Sequence, residues 1–166
     1  QYMTTTVNKH VHNNDIRSVL LDVESVLADT HKYLLNEHNE QFGTNYTRDD
    51  VTTWDWVNTE IGWDRFNRIV EKGWVEQTIK PTEENLGMSV KQLTQHNDII
   101  VDVVTGRTGV EKEMKAWLND HNIEYNAFHS VSNSKAALDY DDYIDDNPKL
   151  ADDLPADKNQ YLILWP

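Results

Sequence analysis

No cysteine occurs among the 166 residues. Disulfides, thiolate metal sites and cysteine nucleophiles are therefore excluded, and the absence fits a reducing, cytoplasmic interior. No run of about 18 apolar residues occurs either, so no membrane span is expected. Positive charge is scarce: 15 Lys and Arg stand against 29 Asp and Glu, a net charge of −14. Such a surface repels nucleic-acid backbones and anionic membranes, so neither is expected as a partner. The acidity reads in two compatible ways, as a solubilising surface or as a carboxylate-rich metal site. What remains is ordinary for a globular protein, with 38% hydrophobic and 27% charged residues. The length predicts one domain with a small insertion, able to bury roughly two-thirds of its unfolded surface.

Residues 1–17 read as a polar tail without the apolar core of a signal peptide. His10 and His12 alternate like metal ligands, but in a polar tail they are read as uninvolved. Residues 18–23 form a short apolar run ending in a carboxylate, the pattern of a strand buried on both faces. Leu27, His31, Leu34, Leu35, His38 and Phe42 fall at helical spacing, and Gly43 stops that helix. Residues 44–80 differ in character. Thr47 to Asp50 resemble a helix-start capping pattern, and Trp63, Phe66, Val70 and Trp74 mark one face of a helix. Four of the six tryptophans fall in this stretch, which predicts a small helical insertion with its own aromatic cluster.

Pro81 and Thr82 are expected to open a further helix, with Glu83 and Glu84 at its positive end and a stripe of Leu86, Val90 and Leu93. Residues 99–104 predict a second strand. Val110, Met114, Trp117 and Leu118 stripe the helix after it. Further strands are expected at 123–128, at Tyr143-Ile144 and at 160–165. Alternating strand and helix argues an α/β fold with a parallel sheet covered on both faces.

In such sheets ligands bind beyond the carboxyl ends of the strands. The polar residues at those ends are Asp22 and Glu24, then Thr105-Gly106-Arg107, then Asp145 and Asp146, with Lys135 ahead of the fourth strand. Two or three of these carboxylates suit Mg²⁺, which takes oxygen ligands. A carboxylate can also attack phosphorus, and a metal, a lysine and hydroxyl or amide donors can stabilise the charge on the transferring oxygens.

Four segments carry a resemblance. Asp22-Val-Glu-Ser-Val-Leu-Ala-Asp-Thr30 resembles the first motif of the haloacid dehalogenase-like superfamily, DxDGxxxDT. Val103-Val-Thr-Gly-Arg107 resembles the second, Lys135 the third, and Tyr143-Ile-Asp-Asp-Asn-Pro148 the fourth, all in the right order. Within that superfamily the chain is most similar to the 5′(3′)-deoxyribonucleotidases and cytosolic 5′-nucleotidases of type C. The resemblance implies a Rossmann-like three-layer sandwich, with a core of residues 18–43 and 81–166 and a small helical cap of residues 44–80 inserted after strand one. It implies a Mg²⁺-dependent phosphomonoesterase acting through an aspartyl-phosphate on a small phosphorylated metabolite, a nucleoside 5′-monophosphate. Carried over by position, it makes Asp22 nucleophile and metal ligand. Glu24 takes the acid/base place, with its backbone carbonyl at the metal. Thr105 and the Gly106 amide bind the phosphoryl group, Lys135 neutralises charge, and Asp146 binds metal with Asp145 beside it.

Two residues depart from the pattern. The acid/base place normally holds Asp and here holds Glu24. The Gly that normally comes next is Ser25. An alternative function arises from them: a binding or regulatory protein that keeps the Mg²⁺ and phosphate sites but turns over poorly. Arg107 is expected either at the substrate phosphate or on a surface acid. The tryptophans of the insertion are expected mainly in its core, with one, Trp54, reaching substrate. A phospho-acceptor receiver domain fits less well, because its acidic pair comes first in the chain and here it comes last.

Overall fold

The computed structural model describes residues 16–156 and 160–164, so His10 and His12 lie outside the described residues. Five parallel strands form one sheet in the order β3-β2-β1-β4-β5. They are β1 (Arg17–Leu21), β2 (Ile99–Thr105), β3 (Phe128–Ser130), β4 (Asp142–Asp145) and β5 (Tyr161–Leu164). Alternation along the strands feeds two cores. Val19, Leu21, Val101 and Val103 face one side, packed with Val90, Met114, Trp117 and Leu118. Leu20, Val104 and Tyr143 face the other, with Tyr140 and Leu150. Burial on both faces is why Val19 to Leu21 of β1 read as a continuous apolar run rather than an alternating one.

The helices are α1 (Thr30–Phe42), α2 (Trp63–Val75), α3 (Leu86–Thr94), α4 (Glu111–Asp120) and the single turn α5 (Leu150–Asp153). Gly43 ends α1 as expected, in a left-handed conformation (φ 66°) with its N–H donating to the Asn39 carbonyl, a cap that glycine adopts without a Cβ penalty. Val110, Met114, Trp117 and Leu118 are all buried. Where α1 and α2 meet, Gly73 permits the close approach. A Cβ there would lie 2.5 Å from the Tyr33 ring and 2.8 Å from Ile79.

Several expectations need correction. The strand β1 starts at Arg17, inside the expected tail, where Arg17 forks onto Asp142 of β4 at 2.8 and 2.9 Å. Leu27 precedes α1 instead of belonging to it, because residues 23–28 form a tight turn in which Leu27 and Ala28 both donate to the Val23 carbonyl. The third helix begins at Leu86 and not at Pro81. The Thr82 N–H donates to the Leu27 carbonyl and its hydroxyl to the Val26 carbonyl, which holds 81–85 against that turn. Strand β3 occupies 128–130 rather than 123–128, since Ile123 and Tyr125 pack into the core from a loop.

The tryptophans of the insertion are also more dispersed than expected. Only Trp56 joins the cluster of Val57, Ile61 and Ile69 against Leu34 and Leu35 of α1. Trp74 is buried in the main core instead. Among the described residues no helix is long and apolar enough to cross a membrane.

Candidate active site

The sheet order reverses at β1, which has β2 on one side and β4 on the other. A crevice forms beyond the carboxyl ends of strands at such a switch point. Asp22 is the first residue past β1, and its N–H donates to the Ile144 carbonyl of β4 at 3.0 Å. Asp145 ends β4 and Asp146 comes next. Thr105 ends β2. Lys135 enters from a 3₁₀ turn (Lys135–Leu138) that Ser134 caps with its hydroxyl. The four segments, distant in sequence, thus converge because the topology puts three strand ends side by side.

Lys135 Nζ donates to Asp22 Oδ1 at 2.6 Å and to Asp145 Oδ2 at 2.7 Å. The remaining Asp145 oxygen accepts from the Asn147 N–H at 2.9 Å. Asp22, Asp145 and Thr105 are 5%, 1% and 1% exposed. Burial pushes the Asp22 carboxyl well above the usual carboxylate range, against the pull of Lys135 and with the help of Asp145 and Asp146. Burial, then the Asp145 charge, raises Asp146 to about 6. Burial disfavours the Lys135 cation, yet Asp22 and Asp145 outweigh it and hold that ammonium protonated.

Lys135 bonds only two of the three carboxylates, Asp22 and Asp145, and three acids beside one ammonium make a donor set suited to a hard divalent cation. Oxygens of Asp22, Asp145 and Asp146 lie within 4.8 Å of one another. Ligand oxygens around Mg²⁺ sit about 3–4 Å apart, given bonds of about 2.1 Å, so the set needs only slight contraction. Asp146 is the freer ligand, because both Asp145 oxygens already accept hydrogen bonds.

A pH dependence results. A carboxyl raised from 3.8 to about 6 binds its proton more tightly folded than unfolded. Between those values the folded state holds more protons, so stability falls as pH rises through that window. Relative to Asp146→Asn, metal-free protein is expected to lose thermal stability from about pH 4 to pH 6. Added Mg²⁺ should raise the midpoint more at neutral pH than in acid. Melting curves in chelator and in Mg²⁺ test this, and a midpoint of the wild type that climbs against Asp146→Asn over that window contradicts it.

The second expected carboxylate has other partners. Glu24 accepts from the Trp74 indole N–H at 2.8 Å and from the Arg107 guanidinium through both oxygens. Its carboxylate therefore stands outside the metal-suited trio. Arg107, one of whose expected partners was the substrate phosphate, is engaged by Glu24 and by Asn67 Oδ1 at 3.3 Å. Thr105 Oγ1 accepts from the Arg107 N–H at 3.0 Å, which leaves the Thr105 hydroxyl hydrogen available.

Ser25 has φ 65°, the left-handed region that its usual glycine favours. A Cβ there costs about 1–2 kcal/mol. Its hydroxyl lies 2.9 Å from Thr30 Oγ1 and 2.8 Å from His31 Nδ1, and each such bond contributes about 0.5–1.5 kcal/mol. Strain and bonds offset each other. Ser25→Gly is expected to shift stability by less than about 1 kcal/mol, while Ser25→Ala keeps the strain, loses both bonds and falls below both by about 1–2 kcal/mol. Urea unfolding measures the difference; equal stability of the Ala and Gly proteins refutes the account. Burial, then the Arg48 cation, lowers the His31 pKa.

A cleft of about 920 Å³ opens over these groups, within the range of small-molecule sites. Residues 44–80 form one wall with Arg48, Trp54, Trp63 and Phe66. Trp54 is partly exposed, and Trp63 meets the Phe66 ring edge-on at 5.4 Å. The contributions of Trp74, Asn67, His31 and Arg48 were not anticipated. Trp74 carries a sequence signal only as an apolar stripe, and nothing local marks its N–H as a partner for a residue 50 positions away.

Sheet order and the polar strand ends define the class: a parallel α/β protein with an acidic, lysine-bridged crevice at its switch point. The family model described as 5′ nucleotidase, deoxy (pyrimidine), cytosolic type C protein matches residues 14–164, and the chain belongs to that family. No curated protein matches the chain. Among solved structures, a haloacid dehalogenase-superfamily hydrolase, subfamily IA, from Geobacter sulfurreducens aligns at TM-score 0.49 and 14% identity, over 90% of this chain and 92% of that one. A protein assigned as a hydrolase of the same superfamily from Bacillus subtilis, bound to magnesium, aligns at TM-score 0.43 and 16% identity, over 80% and 78%. A chain of the Pnkp1/Rnl/Hen1 complex aligns at TM-score 0.49 and 11% identity, over 91% of this chain. This chain spans only 46% of that one.

Proposed function

We propose that this enzyme is a Mg²⁺-dependent, cytoplasmic phosphomonoesterase that hydrolyses nucleoside 5′-monophosphates through an aspartyl-phosphate on Asp22. The observation that carries the reading is the trio of Asp22, Asp145 and Asp146, with Lys135 bridging the first two. Asp22, Asp146 and the Glu24 carbonyl would hold the cation, which supplies charge stabilisation to the phosphoryl oxygens when bound.

Asp22 forms the new bond to phosphorus as the bond to the ribose oxygen breaks. The departing oxygen keeps the electron pair and takes the proton of the neutral Glu24 carboxyl, leaving Glu24 as the carboxylate. Glu24 then takes a proton from the water that hydrolyses the aspartyl-phosphate, releasing phosphate and restoring Asp22. The Thr105 hydroxyl and the Gly106 amide donate to phosphoryl oxygens, and Lys135 balances the charge of Asp22 as it reacts.

In this reading residues 44–80 act as a cap over a core of 18–43 and 81–166. Trp54 and Trp63 offer faces to a base. The arrangement needs an intact fold at Glu24 and Ser25, and both residues are well bonded where they stand.

The test is phosphate release from a panel of nucleoside monophosphates, sugar phosphates and p-nitrophenyl phosphate. Release from nucleoside 5′-monophosphates in Mg²⁺, abolished by chelator, is expected. No release from any member with Mg²⁺ present overturns the proposal.

A further inference from the structure

Glu24 is one methylene longer than the residue the family pattern places there, and longer side chains explore more positions. In this molecule the extra length ends in a fixed mount. Arg107 donates Nε and Nη2 to the two Glu24 oxygens, and the Trp74 indole N–H adds a third donor at 2.8 Å. Both side chains of the pair are largely shielded, at 11% and 21% exposure. Arg107 is itself held on every side. Its N–H donates to Thr105 Oγ1, and its carbonyl accepts from the Ser130 hydroxyl at 2.9 Å. Its guanidinium lies over the Phe66 ring at 5.4 Å and donates to Asn67. The planar fork of an arginine fixes a carboxylate in both distance and orientation, which a lysine cannot do.

We propose that Arg107 is a positioning residue: together with Trp74 it sets the Glu24 carboxyl group, which gives its proton to the leaving oxygen and takes one back from the attacking water, taking up the additional methylene. The inference rests on the phosphomonoesterase reading above and deepens it. It also ties the acid/base group to α2, since Phe66, Asn67 and Trp74 all belong to that helix. One consequence is that restoring the shorter acid at this place, Glu24→Asp, lowers activity, because the carboxylate retreats from Arg107 and Trp74.

The test compares kcat/KM, which covers the steps through departure of the leaving group, for a nucleoside 5′-monophosphate and for p-nitrophenyl phosphate. The nitrophenolate leaves without a proton, whereas the ribose oxygen needs one. Arg107→Met is expected to lower kcat/KM about 100-fold on the nucleotide, the scale of a misplacement of about 1 Å, and to leave p-nitrophenyl phosphate nearly unchanged. Arg107→Lys should fall between, and Arg107→Met should add nothing further in a Glu24→Gln background. Equal losses on the two substrates overturn the proposal, since a phosphate ligand or a merely structural residue affects both alike. The Trp74 indole N–H resonance, assigned by its disappearance in Trp74→Phe, gives a readout independent of turnover. It should move in Arg107→Met and less in Arg107→Lys; an unmoved resonance overturns the proposal. Wild-type protein inactive on every phosphomonoester defeats the functional reading instead, and the indole resonance still decides whether Arg107 holds Glu24.

Discussion

Replacing Asp22 by Asn is expected to lower phosphate release from a nucleoside 5′-monophosphate on the order of 10⁴- to 10⁶-fold, the scale on which enzymes respond to loss of a covalent nucleophile. The amide keeps the size of the side chain and the backbone bond to Ile144, so the strand end stays in place. It removes a charge that is 5% exposed and that burial already disfavours. The variant should therefore melt at or slightly above the wild-type temperature while losing turnover. That pairing of intact stability with lost activity separates a chemical role from a structural one. Activity comparable to wild type would remove Asp22 from the reaction.

Lys135→Met is expected to damage both stability and turnover. The ammonium bridges Asp22 and Asp145, and its loss leaves buried carboxylates facing one another without a counter-charge. Removing one partner of a buried ion pair costs about 3–5 kcal/mol. For a chain of this size that corresponds to a fall in Tm of about 10 °C. Part of the loss should return on adding Mg²⁺, because a divalent cation restores positive charge among the same oxygens. Thermal unfolding in chelator and in Mg²⁺ measures both effects. An unchanged Tm in chelator would show that the carboxylates relieve their repulsion without the lysine, by taking up protons.

The parts of this protein that depend on local pattern were readable along the chain. Val19 to Leu21 and Val101, Val103 and Val104 announce strands because a sheet covered on both faces takes apolar side chains from both sides of the strand. Val110, Met114, Trp117 and Leu118 announce a helix because their spacing matches its period. Asp22, Thr105 and Asp145-Asp146 stand at the polar ends of apolar runs, and a parallel sheet brings such ends to one rim, where ligands bind. The misplaced elements share one cause: a tertiary contact overrides the local pattern. Ile123 and Tyr125 have strand-like character, yet residues 128–130 are the ones that pair with β2. Pro81 and Thr82 look like a helix start, yet Thr82 is bonded to the turn after β1.

Composition, periodicity and the order of four short motifs were enough for the fold class and for the residues around the acidic trio. They carry that information because each depends on neighbours close in the chain. The partners of Glu24 depend on something else. Arg107 is 83 positions away and Trp74 is 50, and no local preference marks either as its donor. Only the contact of α2 with the loop after β2, where Arg107 meets Phe66 and Asn67, brings them to that carboxylate, and only the turn after β1 gives Ser25 its left-handed backbone. Long-range contacts of this kind arise from the whole folded arrangement, so the setting of the Glu24 carboxylate became visible in three dimensions alone.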